Sequence, residues 1–162
     1  MATKATTVVR EIPLPIERVR EITVSEEFLL RLDGDDASMR LRDGHSEVHE
    51  DGSMDATVTA VVGEGDKELE MVQRMEVSEV REDGSFSIFT SVPLPKDIGT
   101  MATNQVYRPE GDGTLLESTV AVEVHIALVG AKIASQVLEG APSSTEKGVE
   151  RILRLAEQRQ SP

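Results

Sequence analysis

The segment Leu115-Leu-Glu-Ser-Thr-Val-Ala-Val-Glu-Val-His-Ile126 alternates between two faces along its whole length. Leu116, Val120, Val122, Val124 and Ile126 fall on one face, interrupted only by Ser118. Glu117, Thr119, Glu123 and His125 fall on the other. A period of two sustained this long requires a strand with one side on a core and the other in water. Directly downstream, Leu128-Val-Gly-Ala-Lys-Ile133 opens a helical pattern. A long strand feeding a terminal helix predicts a curved sheet that grips that helix, an arrangement that encloses space for an apolar ligand.

The helix is predicted from about Val129 to Gln158, long enough at ~1.5 Å per residue to cross a sheet. Ile133, Val137 and Leu138 supply its first apolar face, and Val149, Ile152, Leu153 and Ala156 its second. Between them lies Gly140-Ala-Pro-Ser-Ser144, where Pro142 predicts a kink or a break and Ser143 with Glu146 has capping-box spacing. That stretch has no large apolar side chain, so space is left between helix and sheet. The gap is either part of a pocket or a solvent-exposed bend.

Upstream, residues 5–12 form a first strand, ended by Pro13 and Pro15. Ile16, Val19 and Ile22 then recur at helical spacing. Thr23 with Glu26, or Ser25, caps a short second helix carrying Phe28, Leu29 and Leu32 and stopping near Asp33-Gly34. From residue 36 the pattern becomes an antiparallel meander. Asp51-Gly52 and Asp83-Gly84 are hairpin dipeptides, and Gly63 to Lys67, Pro93 to Gly99 and Pro109 to Gly113 are further turns. Asp43-Gly44 reads as a bulge or another turn. One face of the meander carries Met54, Ala56, Val58, Ala60 and Val62; then Leu69, Met71, Met75 and Val77; then Phe86, Ile88, Thr90 and Val92. Met101, Thr103, Gln105 and Tyr107 are assigned to the same inward side. The fold class is therefore α+β: a curved antiparallel sheet of about seven strands, two short helices after strand one and a long C-terminal helix, within one domain over residues 1–162.

Composition narrows the function. The 162 residues carry 30 acidic against 17 basic side chains, a net charge of −13. Such a surface repels nucleic acid and anionic membranes. With no cysteine, disulfides, thiolate catalysis and Cys-bound zinc are excluded. No apolar run approaches the ~20 residues of a membrane span, and the N-terminus lacks a secretory h-region, so a cytoplasmic protein without stable membrane insertion is expected. The aromatic residues are Phe28, Phe86, Phe89 and Tyr107, against six methionines. A cavity here is lined by aliphatic and thioether groups, and a flat cofactor has little to stack on; no cofactor is expected.

The order of elements resembles that of the START-like helix-grip superfamily, which includes the birch-pollen-allergen fold, polyketide cyclases and lipid-transfer domains. Gly111 to Ile126 and Leu128 to Ile133, with Pro15-Ile-Glu-Arg-Val19 and Glu27 to Leu32 more weakly, are most similar to a mainly actinobacterial branch of unassigned function. Ala127, Ala134 and the missing late tryptophan depart from that branch. The resemblance implies binding or carriage of a small molecule rather than a particular reaction.

The inward polar groups are Gln73, Thr90, Thr103, Gln105, Tyr107 and Ser118, none of them a carboxylate or histidine. Acid–base work needs a titratable group within reach of substrate, so this set orients better than it reacts. The pocket is assigned to Met71, Gln73, Met75, Phe86, Ile88, Thr90, Met101, Thr103, Gln105, Tyr107, Ile133 and Val137, with Gln73, Thr103, Gln105 and Tyr107 orienting the polar end of a small apolar or amphipathic ligand. Each also reads simply as a satisfied strand residue. A cyclase- or hydrolase-type enzyme with Tyr107 as acid, and a ligand-free interaction module like the superfamily's co-chaperones, are the alternatives. His45 and His49 flank Glu47, but four strand residues separate them by ~13 Å, too far for one ion. His125 reads as a surface residue, and the acidic run over residues 64–83 as a solvated face; no metal is expected.

Overall fold

A computed structural model describes residues 2–30, 39–62 and 69–160. Leu32, Asp33-Gly34 and the turn Gly63 to Lys67 lie outside the described residues. Strand β1 (Ala2–Ile12) is followed by helices α1 (Ile16–Thr23) and α2 (Glu26–Leu29). Strands β2 (Met39–Val48), β3 (Met54–Val62), β4 (Leu69–Val77), β5 (Phe86–Pro93), β6 (Gly99–Glu110) and β7 (Gly113–Val124) come next, then helices α3 (Gly130–Glu139) and α4 (Ala141–Gln160). The strands form one curved antiparallel sheet in the order β1-β7-β6-β5-β4-β3-β2.

Strand β7 shows why the sequence pattern is decisive. From Thr114 to Val124 every second residue is buried and every intervening one is partly exposed. It pairs with β1 on one side, Val8 opposite Ser118, and with β6 on the other, Gln105 opposite Ser118. The strand begins at Gly113 because Gly111-Asp112 makes a two-residue turn between the paired Glu110 and Gly113. Gly111 has φ +57 there, a backbone region open to glycine in such turns.

The β2–β3 and β4–β5 hairpins share one device. Asp51 Oδ1 accepts from Ser53 N at 2.9 Å and from Ser53 Oγ at 2.6 Å. Asp83 repeats both bonds with Ser85 at 2.9 and 2.6 Å. These bonds hold both carboxyls below the usual aspartate range. Asp43-Gly44 proves to follow a bulge, since the β2–β3 register shifts between Leu41 and Asp43.

Helix α1 buries Ile16, Val19, Ile22 and Thr23, one face at helical spacing. Neither proposed cap works through its side chain. Ser25 holds the N-cap position of α2, but its hydroxyl donates to Ile22 O at 2.6 Å, and Thr23 donates to Arg20 O at 3.3 Å. Arg20 ties α1 to the hairpin end of the sheet. It donates to Ser78 O at 2.7 Å and Gly52 O at 2.8 Å, and its guanidinium lies 4.9 Å from the Phe86 ring centroid. Phe86 in turn stacks on Tyr107 at 4.9 Å. Burial lowers the Arg20 pKa from its ordinary value.

The C-terminal helix bends rather than stops. Gly140 joins α3 to α4 with φ −81 and ψ −8, and its carbonyl accepts from Ser144 N at 3.0 Å. Pro142 falls in the first turn of α4, where a missing N–H costs nothing. Ser143 lies inside α4 and Glu146 bonds Arg10 Nε at 2.8 Å, so the capping box is not used. Helical pattern does not begin at Leu128 either: that residue has φ +70, is fully exposed and precedes the helix.

The buried apolar residues form two clusters. One joins α1, α2 and the second half of α4 to strands β3–β7, through residues such as Val19, Phe28, Met75, Tyr107 and Ile152. The other joins α3 and the start of α4 to β1 and β7, through Val8, Val122, Val124, Ala134 and Ala141.

Candidate functional site

Where the two clusters meet, the sheet and the bent helix pair stand apart. The space is a cavity of ≈230 Å³. Its floor is a block of the sheet: Gln73 and Met75 of β4, Ile88, Thr90 and Val92 of β5, Met101, Thr103 and Gln105 of β6, Ser118 and Val120 of β7. Its roof is Val137, Gly140, Ala141, Ser144, Thr145, Gly148 and Arg151, with Phe28 and Leu29 of α2 at one side. The roof residues recur every three or four positions, so they form one helical stripe. Their smallness creates the hollow: helix Cβ atoms or bare glycines face the sheet where leucine-sized groups would otherwise fill it.

Eight of the residues assigned from sequence line this space: Gln73, Met75, Ile88, Thr90, Met101, Thr103, Gln105 and Val137. Four stand elsewhere. Phe86 and Tyr107 sit one step along the sheet, fully buried in the stack beneath Arg20. The Tyr107 hydroxyl donates to Gln105 Oε1 at 3.3 Å, linking the stack to the site. Ile133 packs in the cluster between α3 and strands β1 and β7. Met71 is half-buried opposite Ala60 and outside the lining. Alternation assigns a face to each of these four, but not a position along it, and the cavity occupies only the middle of that face.

Thr145, Gly148 and Arg151 were not singled out from sequence. The signal was present, as small residues continuing the Gly140–Ser144 stretch at helical spacing. Arg151 donates to Phe28 O at 3.2 Å and its guanidinium lies 4.3 Å from the Phe28 ring centroid, a contact of cation–π type. Among the described residues no carboxylate or histidine lines the cavity.

Ser118 is a fully buried polar group of the floor. It is 1 % exposed, and its Oγ has no hydrogen-bond partner among the described residues. An unsatisfied buried hydroxyl costs ~1–3 kcal/mol. Gln73 Nε2 donates to a weak acceptor, the Met75 sulfur, at 3.6 Å.

The histidines lie away from this space. His49 Nε2 pairs with Asp55 Oδ2 at 2.8 Å, while His45 lies 3.7 Å from Asp43 and His125 3.5 Å from Glu123, all on the surface. The hydrogen bond to Asp55 raises the His49 pKa above its ordinary value, against a smaller opposing desolvation. A raised folded-state pKa means that the pair adds stability below the ordinary histidine range. The contribution is lost as pH rises through the raised value. In an NMR titration His49 is expected to show a midpoint above that of an ordinary histidine, returning toward it in Asp55→Asn. An unchanged midpoint in that variant would remove Asp55 as the cause.

A sheet wrapped around a C-terminal helix, two short helices after the first strand and a hollow between sheet and helix define the helix-grip fold. Solved structures share it at low identity, and so attest the fold alone. Protein SA2116 from Staphylococcus aureus superposes with a TM-score of 0.64 at 12% identity, over 99% of this chain and 98% of that one. Human STARD10 gives 0.62 at 11%, over 96% and 66%. A point mutant of norcoclaurine synthase from Thalictrum flavum, in complex with a transition-state analogue, gives 0.61 at 15%, over 99% and 98%. Within that fold the chain belongs to the family DUF2505, described as a protein of unknown function, which it matches over residues 7–147. No curated protein matches it by sequence. No helix among the described residues is long and apolar enough to cross a membrane.

Proposed function

We propose that this chain, working as one domain over residues 1–162, binds or carries a small apolar or amphipathic molecule in the hollow between its sheet and its bent terminal helices. One observation carries the reading: a stripe of small residues on α3 and α4 stands over the middle of the sheet and leaves ≈230 Å³ unfilled. A partly open hollow of this size, roofed by small residues, can receive a guest without any repacking of the core. It lies just below the ~300–1,000 Å³ of drug-sized sites, which points to a compact ligand. Apolar walls supply affinity at ~25 cal/mol per Å² buried, less the cost of association.

A neighbour of the same fold supports the reading. Norcoclaurine synthase from Thalictrum flavum is solved in complex with dopamine and hydroxybenzaldehyde. A cyclase- or hydrolase-type reaction needs an acid and a base within hydrogen-bond reach of the substrate. The described lining offers hydroxyls, amides and a guanidinium, groups suited to orienting a ligand. The Gly111 to Ile126 and Leu128 to Ile133 stretches favour membership of the mainly actinobacterial branch. A net charge of −13 keeps such a carrier off nucleic acid and anionic bilayers, and the setting we assign is cytoplasmic.

The test is native mass spectrometry of protein purified without denaturation, paired with NMR titration using cumene as an apolar probe. A small-molecule adduct released on unfolding, or cumene shifts confined to the cavity residues, is expected. Bare protein mass together with no cumene response would remove the reading.

A further inference from the structure

Resting on that reading, we propose that the cavity selects ligands bearing a neutral hydrogen-bond acceptor, a carbonyl oxygen of ketone type, seated between Ser118 and Gln105 on the sheet floor. These two residues are directly opposite each other on β7 and β6, where facing Cβ atoms lie ~4.5–5.5 Å apart. Both line the cavity. The Ser118 hydroxyl is 1 % exposed with no partner among the described residues. Gln105 Oε1 is occupied by the Tyr107 hydroxyl at 3.3 Å, which turns the amide so that its N–H groups are the ones on offer. Two donor-bearing side chains thus stand side by side on the floor, with Val8 and Ile88 completing the same cross-strand row.

A carbonyl oxygen has two lone pairs and accepts from both donors at once. A carboxylate fits this point poorly, because burying an anion without a facing cation is strongly unfavourable. The lining's guanidinium belongs to Arg151 on the roof, and it is held against the Phe28 carbonyl and ring. A purely apolar ligand would leave the serine hydroxyl unsatisfied beneath it. The site therefore distinguishes ligands by one neutral polar atom, at a fixed depth below the helix.

Three probes of nearly the same shape separate the possibilities: acetophenone, cumene, in which a methyl group stands where the oxygen was, and benzoate. Dissociation constants are measured by NMR titration on the wild-type chain, Ser118→Ala and Gln105→Leu. Acetophenone is expected to weaken at least ~fivefold in each variant, the usual size of one lost neutral hydrogen bond, while cumene holds or tightens. Retained cumene binding shows that the cavity itself survives the substitution. Equal losses for acetophenone and cumene, no loss for acetophenone, or benzoate binding the wild type more tightly than acetophenone would each overturn the carbonyl seat and leave the binding reading standing. Failure of all three probes on the wild type would sink both.

Discussion

Gly148→Phe is expected to abolish cumene binding while the protein stays folded. Gly148 lies on the inner stripe of α4, and a Cβ built there meets nothing within 4 Å. A phenyl group entering that space occupies a large part of ≈230 Å³. Overlap with a bound ligand then costs at least ~100-fold in affinity, since close-packed sites absorb extra volume poorly. Replacing glycine inside a helix also raises helix propensity, so Gly148→Ala is expected to gain ~1 kcal/mol of stability and keep binding. The pair is read by thermal unfolding and NMR titration together. Undiminished cumene affinity in Gly148→Phe would show that the ligand does not lie under this helix.

The largest loss of stability is expected from Gly99→Ala. Gly99 opens β6 opposite Val124, and a Cβ there would overlap the backbone carbonyl oxygen of Glu123. Backbone cannot swing aside as a side chain can, so the first pair of the β6–β7 ladder must part. A cost of at least ~3 kcal/mol follows, on the order of 10 °C in Tm for a chain this long. Gly130→Ala is the matched control, because its added methyl finds the Ala2 Cβ at 3.5 Å, an ordinary contact. Equal melting temperatures for Gly99→Ala and the wild type would show that the two strands do not approach so closely.

The helix-grip order of elements was legible because its signals are local. The alternation of β7, the Asp-Gly turns and the Pro13–Pro15 stop each act within a few residues, and no tertiary contact overrides them. The bend in the C-terminal helix was legible as a kink or break within residues 140–144; Gly140 carries the junction, and Pro142 sits in the first turn of α4, where a proline is harmless. The cavity was half legible. Period two shows which side of a strand faces inward, and Gln105 and Thr103 do lie in the cavity lining. It does not show how far along the strand the helix leaves the sheet, so Tyr107 and Phe86 were assigned to a space that Arg20 and α1 close off. That boundary is set by which roof residues are small, and the spacing of Gly140, Ser144 and Gly148 carries that signal in the sequence.

Among the described residues, strand β1 pairs with β7, more than a hundred positions later in the chain, and α3 rests on both. Strand β1 is therefore synthesised well before the strand it pairs with. Its apolar residues Val8 and Ile12 stay uncovered until Gly113 to Val124 have been made. Long-range pairing of this kind slows folding, because loop-closure entropy is lost before any contact offsets it. The register between β1 and β7 is thus a late event in folding.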